Sequence, residues 1–462
     1  MDTEGGEGPE GLVREDPLFP ALRALPALRV KDLAYAKDQC VKAALVAGGV
    51  ETVRRNAAAM PIRGLALPVA TYRRRRREAL KRLQAAFGER VPLLLIGNDE
   101  TTLRRDRQDP WFDYFCGCAE PEAALLIDPT RTPHDTLFLD PGDPSRVIWD
   151  GARLGPDEKA RRAHGVDAVA NHKRLDDAVA LALHRSGGLL AMCHRAREPG
   201  GQAAAFERWK SKLGSRVTLL NAEDALAAMR LIKDADEVAW HRKAIAITAA
   251  GLKTVLPQIP TLSNEAEVAS LLTMHYRKAA YGPLAFPPIV GSAANGATLH
   301  YPFNDQPLQR GKPLLIDSGA TAGGYCADVT RTLPQHGRFD DKRFREVYEI
   351  VLQANALGRK HAKPGITFEE LNKLAWAPII AAGFTRHHGL SHHIGLDVHD
   401  PGDRSLPLAP GMIISNEPGI YLPDEGFGIR IEDDLLITRD GCEELTRAIP
   451  KDVRGVEAWM RG

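Results

Sequence analysis

Lys312-Pro313-Leu314-Leu315-Ile316-Asp317 is an apolar run that ends in an acid, and eleven residues after that acid Tyr325-Cys326-Ala327-Asp328-Val329-Thr330 carries a second one. Between them lies Thr321-Ala322-Gly323-Gly324, whose glycines are free to take positive φ and so mark a turn. The pattern predicts two strands joined by a tight hairpin, with its midpoint placed so that Asp317 and Asp328 pair directly. Directly opposed Cβ atoms lie roughly 5 Å apart, and like charges at that distance repel. A cation between the two acids removes the conflict, and a divalent metal is the simplest one.

Three further segments repeat the theme. Gly389-Leu390-Ser391-His392-His393-Ile394-Gly395-Leu396-Asp397-Val398-His399-Asp400 gathers three imidazoles in a short span. Asn416-Glu417-Pro418-Gly419 follows the apolar run Met412-Ile413-Ile414, and Gly428-Ile429-Arg430-Ile431-Glu432-Asp433-Asp434 precedes Leu435-Leu436-Ile437. One acid at the end of an apolar run is an ordinary solvated strand end. Asp317, Asp328, Glu417 and Glu432 with His392 form a pattern that a metal-dependent hydrolase needs.

These segments resemble the pita-bread metallopeptidases, and within them the proline-specific branch of aminopeptidase P and prolidase. The resemblance is carried by Asn295-Gly296-Ala297-Thr298-Leu299-His300-Tyr301, by the two aspartate strands ending in Thr330-Arg331-Thr332, by His388 to Asp400, by Glu417-Pro418-Gly419-Ile420-Tyr421 and by Gly428 to Asp434. It implies an α/β (α+β) chain in which a creatinase-like N-terminal α/β domain precedes a pita-bread catalytic domain. It also implies a ligand set in which Asp317 chelates one metal, Asp328 and Glu432 bridge two, and His392 and Glu417 complete the second. Four carboxylates and one imidazole make a hard, oxygen-rich set that matches two divalent ions, Mn²⁺ first, with Co²⁺, Fe²⁺ or Zn²⁺ also suited. Two-metal sites acidify a bridging water, which becomes the nucleophile.

The same resemblance gives roles to other residues. Glu417 is the proton shuttle toward the leaving nitrogen. His399 is the oxyanion stabiliser, His300 and His388 are substrate contacts near the scissile bond, and Arg430 orients the carboxylates. Arg404 is a ligand for either a dipeptide carboxylate or a longer peptide backbone. His387, His393 and Asp397 are expected to be structural or on the surface. The implied activity is release of the N-terminal residue from peptides with proline in second position. A proline-nitrogen amide offers no N–H, so a site that needs no donor there selects it. An Xaa-Pro dipeptidase shares all five ligands and remains the alternative. A non-catalytic pita-bread binding protein is the other, set against the retention of every ligand.

Composition narrows the partners. The 462 residues carry a net charge of +1 with 26% charged side chains, which argues against nucleic acid or a membrane surface as partner. The N-terminus, Met1-Asp2-Thr3-Glu4, is acidic with no apolar h-region, so no signal peptide is expected and the chain reads as a cytoplasmic protein. Six cysteines without paired CxxC spacing read as reduced thiols, with Cys116-Gly117-Cys118 too close for ordinary structural zinc. The family resemblance implies a homo-oligomer, dimer or tetramer.

Along the chain, residues 1–68 form an extension whose Gly/Glu/Pro-rich start predicts disorder, with helix expected over Val30 to Val46. Residues 69–228 form an α/β domain, and residues 229–462 the catalytic domain. In the former, Val91 to Ile96, Glu122 to Ile127, Thr136 to Leu139, Arg146 to Trp149 and Leu189 to Met192 are strand-like apolar runs, with helices over Pro156 to Arg162 and Ala203 to Lys212. Gln108 to Phe115, Ala119 to Ala123 and Val147 to Gly155 are similar to the N-terminal domain of aminopeptidase P. So is the basic run Arg73 to Arg77, read as a solvated helix start. Asp234 and Glu237 are spaced as a capping box, and the boundary is placed just before them.

Overall fold

The chain is a computed structural model that describes residues 65–105, 107–143, 145, 147–194, 201–214, 217–280 and 283–462. The expected disordered start, the helix over Val30 to Val46 and Cys40 lie outside the described residues. Helix α1 (Val69–Phe87) holds the arginine run and stops at Gly88, whose φ is 102°. The run is solvated only in part: Arg73, Arg74 and Arg77 are exposed. Arg75 and Arg76 are buried, paired to Glu237 at 2.9 Å and to Asp135 at 2.5 Å. Five consecutive helical residues sweep more than a full turn, so some must face whatever the helix packs on. Their remaining donors find the carbonyls of Tyr114 and Phe115.

Strands β1 (Leu93–Ile96), β2 (Ala124–Ile127), β3 (Asp135–Leu139), β4 (Ala168–Asn171), β5 (Leu189–Met192) and β6 (Thr218–Asn221) form one sheet in the order β4-β3-β2-β1-β5-β6. Alternate residues feed two cores: Leu93, Leu95 and Leu125 pack with Phe112 and Phe115 on one face, and Leu94, Leu126 and Phe138 with Val179 and Phe206 on the other. Burial on both faces is why four of these strands read as unbroken apolar runs. Strand β4 is only half-buried and carried no such run. Helix α2 (Pro110–Cys116) is capped by Asp109, which accepts from the amides of Trp111 and Phe112. Arg146 to Trp149 is not a strand. Residues Val147–Asp150 form a single helical turn, α3, that leaves Ile148 87% and Trp149 82% exposed. A short apolar run without alternation does not commit to a strand. The two expected helices are α4 (Glu158–His164) and α5 (Gly201–Leu213).

After α6 (Glu223–Leu231), α7 (Ala235–Val255) opens with the capping box formed by Asp234 and Glu237. Strands β7 (Ile289–Ser292), β8 (Pro313–Ser318) and β11 (Val329–Pro334) form one sheet in the order β11-β8-β7. Between β8 and β11, β9 (Thr321–Ala322) and β10 (Tyr325–Cys326) form the expected hairpin. Gly323 and Gly324 take φ of 56° and 85°, the paired positive values of a two-residue primed turn. That turn sits one residue later than the spacing of the acids implied. Asp317 therefore faces Thr330, and Asp328 lies two residues back along the returning chain. The direct Asp317–Asp328 pairing is corrected to a diagonal one.

Strands β12 (Ile413–Asn416), β15 (Asp433–Ile437) and β16 (Cys442–Glu444) form another sheet, and β13 (Gly419–Leu422) pairs with β14 (Phe427–Arg430). Helix α8 (Lys342–His361) lies against β12. Asn355 and Asn416 exchange side-chain to main-chain hydrogen bonds of 3.1 and 2.9 Å there. At Gly358 the approach is so close that a Cβ would lie 2.0 Å from Asn416 Oδ1. Cys116, Cys118, Cys193 and Cys326 are buried free thiols. Among the described residues no helix is long and apolar enough to cross a membrane.

Candidate metal centre

The strand ends converge. Asp317 sits near the end of β8, Asp328 just before β11, Glu417 just after β12 and Glu432 between β14 and β15. The loop carrying His392 is sewn to β12. His392 N donates to Ser415 Oγ at 2.9 Å, and Ser415 N donates to the His392 carbonyl at 2.9 Å. Asp328, His392 and Glu432 bring one ligand atom each within 4.8 Å of one another. His392 Nε2 lies 3.4 Å from Asp328 Oδ2, 3.4 Å from Glu417 Oε1 and 4.0 Å from Glu432 Oε1. His392 Nδ1 faces the His393 carbonyl at 3.1 Å, which assigns the ring proton to Nδ1 and leaves the Nε2 lone pair toward the acids.

Electrostatics sharpen the picture. Burial, then the charge of Glu432 and Asp317, pushes the Asp328 carboxyl well above the usual carboxylate range. Burial, with Glu417 and Asp317 adding, does the same to Glu432. Glu417 is pushed up to about 8, chiefly by burial, against the pull of Arg430. Burial holds the His392 imidazole well below its ordinary value, so it is neutral. Asp317 Oδ1 is buried and has no hydrogen-bond partner among the described residues. Four acids thus share a pocket in which protein cations do not balance them, with an orphaned oxygen and an imidazole lone pair facing in. That donor set fits divalent cations.

The other expected residues sit around this core. Arg430 Nη2 donates to Asp317 Oδ2 at 2.5 Å, and its Nε to Thr330 Oγ1 at 3.0 Å. His388 Nδ1 lies 3.9 Å from Glu417 Oε2. Burial lowers the His388 imidazole to about 4. The His399 ring stands 4.3 Å from that of His392, edge to face. His300 and Arg404 are exposed. His300 is near enough to His388, and Arg404 near enough to Glu417, for their charges to act there. His393 is buried edge-on against Phe368, and Asp397 is tied to Arg230.

Sequence reasoning gave no role to Ser415, whose Oγ donates to Glu417 Oε1 at 3.2 Å, nor to Thr330 and Tyr421, which also touch this centre. Thr330 Oγ1 donates to Glu432 Oε2 at 2.7 Å, and Tyr421 OH bridges His388 Nε2 at 3.0 Å and Arg430 Nη1 at 3.2 Å. Thr330 was within reach of the alternation argument, because it shares a strand face with Asp328. Tyr421 carried no signal of its own.

Known proteins share this architecture. The profile of metallopeptidase family M24 matches residues 239–439, and that of the aminopeptidase P N-terminal domain matches residues 72–190. The Xaa-Pro aminopeptidase of Escherichia coli K12 is 31% identical over 436 residues, covering 83% of this chain and 98% of its own length. Intermediate cleaving peptidase 55, mitochondrial, of Arabidopsis thaliana is 30% identical, covering 77% of this chain and 75% of its own. Among solved structures, aminopeptidase PepP of Pseudomonas aeruginosa superposes with a TM-score of 0.73 at 28% identity, covering 87% of this chain and 99% of that one. Aminopeptidase P of E. coli with the inhibitor Pro-Leu gives 0.74 at 28% identity, covering 85% and 98%.

Proposed function

The chain belongs to metallopeptidase family M24, in its aminopeptidase P branch, and on that premise we propose how its residues divide the work of an Xaa-Pro aminopeptidase. Asp317, Asp328, His392, Glu417 and Glu432 would hold two divalent ions, Mn²⁺ the first choice. Bound there, the ions would acidify water and polarise the scissile carbonyl. The observation that carries the assignment is the position of His392 Nε2, 3.4 Å from both Asp328 and Glu417 in a buried pocket of unbalanced acids.

Glu417 takes the proton of the attacking water as its oxygen adds to the carbonyl carbon. It then delivers that proton to the proline nitrogen as the C–N bond breaks. The nitrogen of a tertiary amide leaves as a strong base, so a proton donor aimed at it matters more than any acceptor. His399 donates to the oxygen that becomes negative during the addition. His388 and His300 flank the scissile bond. Arg430, anchored to Asp317 and Thr330, fixes the direction of the Asp317 carboxylate. Arg404 binds either the carboxylate of a dipeptide or the backbone of a longer peptide. A homo-oligomer would cover Ile148 and Trp149, and sedimentation of the purified chain tests it.

Metal analysis combined with cleavage of Xaa-Pro and Xaa-Pro-Yaa peptides tests the whole reading. We expect about two ions per chain, and release of the first residue from tripeptides. Cleavage of dipeptides alone would transfer the assignment to an Xaa-Pro dipeptidase.

A further inference from the structure

A second buried charge cluster lies beside the centre, where the sheet domain meets the catalytic strands. Arg230, at the end of α6, donates to Asp397 Oδ2 at 2.8 Å and to Asp400 Oδ1 at 2.6 Å. Lys233 donates to Asp400 Oδ2 at 3.0 Å. The side chains of Arg230, Lys233 and Asp400 are each 1% exposed. Arg230 also stacks on Trp111 of α2, 4.7 Å from the ring centroid. Arg107, from the sheet domain, donates to the carbonyls of Gly324 and Leu396. Three cations that precede the catalytic strands therefore grip one loop, residues 393–400.

That loop is closed on itself. Asp400 N donates to the His393 carbonyl at 2.8 Å, and Gly395 N to the Asp397 carbonyl at 2.9 Å. The Asp400 carboxylate fills the interior so fully that a Cβ on Gly395 would come within 2.3 Å of its Oδ2. His392 and His399 are the residues flanking the two ends of this closure. His399 is exposed, its ring meets that of His392 edge to face, and its backbone is joined directly to that of Asp400.

We infer that Asp400, clamped by Arg230 and Lys233, is the positioning residue for His399 and so sets the placement of the oxyanion donor. The inference rests on the role given to His399 above. A displacement of an ångström at such a donor costs rate without costing substrate affinity.

The test is a double-mutant cycle on the metal-loaded full chain, reading kcat, KM and bound metal. Asp400→Asn should lower kcat about tenfold to hundredfold, as lost supporting hydrogen bonds do, with KM and metal content retained. In the His399→Ala background the same substitution should cost less than about twofold, because the two act as one unit. An equal loss in both backgrounds, or an unchanged kcat in Asp400→Asn, overturns the inference while leaving the site assignment standing. A His399→Ala enzyme with full kcat overturns the site assignment, and the inference with it. Should Asp400→Asn not fold, Lys233→Met keeps the Arg230 contact and goes through the same cycle. A loss that shrinks in the His399→Ala background supports the inference, and an additive one overturns it.

Discussion

Glu432 and Asp433 are neighbours in sequence, both buried, and their carboxyls are pushed in opposite directions. Glu432 faces Glu417, Asp317 and Asp328, and burial, with those charges adding, pushes its carboxyl well above the usual range. Asp433 faces the other way and accepts from Arg331 at 2.7 Å and from Lys451 at 2.5 Å. Burial alone would raise it, but the two cations outweigh that and hold it well below the usual range. Because side chains alternate across an extended chain, a single residue step separates a pocket of unbalanced acids from a charge-matched fastener. Burial of a carboxylate is common to both. Only the balance of charge around it distinguishes a receptacle from a clasp.

The largest test of that contrast is metal removal. Chelation should abolish peptidase activity, and Mn²⁺ or Co²⁺ should restore it. Full activity in protein free of metal by elemental analysis would erase the distinction. Next comes Glu417→Gln, which disturbs a ligand and the proton path together and should lower kcat about 10²–10⁴-fold. His399→Ala should lower kcat about 10²–10³-fold with metal content intact. Loss of metal from that variant would mean that the wrong histidine was assigned as ligand.

On the clasp side, Asp433→Asn leaves Arg331 and Lys451 facing a neutral group. It should destabilise the fold by about 3–5 kcal/mol, read from urea unfolding, while bound metal is unchanged. The two faces also differ in their response to pH. Glu417 has a folded value near 8, above its ordinary one, so the metal-free protein should lose stability as pH rises toward 8 and regain it in acid. Asp433 has a depressed value, so its contribution is present above the ordinary carboxylate range and is lost as pH falls below it. Thermal melts of chelated protein across pH, with Asp433→Asn alongside, separate the two slopes. Slopes of the same sign would merge the classes. The smallest effect is expected at the exposed Arg404. Its replacement by Ala should raise KM about tenfold or less, on dipeptides if it binds their carboxylate and on tripeptides if it binds a longer backbone.

Much of this centre could be read from order in the chain alone. An acid at the end of an apolar run is visible without coordinates, and all five expected ligands lie in one place. What was not legible depended on which face or which partner a residue meets. The hairpin register moved because Gly323-Gly324 rather than Ala322-Gly323 forms the turn. The arginine run looked solvated because its acceptors, Asp135 and Glu237, lie 59 and more than 100 residues away. Asp397 and Asp400 had the same obscurity, since Arg230 and Lys233 are over 160 residues distant. Trp149 lies in the helical turn Val147–Asp150, which pairs with no strand among the described residues.

Gly358 gives the centre a mechanical tolerance. Only a glycine hydrogen, and no Cβ, stands between α8 and the Asn416 amide, and Asn416 immediately precedes Glu417. The gap between that helix and that strand is therefore a ruler with no slack. Adding one methyl at residue 358 inserts a wedge, and the strand end that presents Glu417 is what the wedge moves. A position outside the acid cluster thereby governs where the Glu417 carboxylate lies.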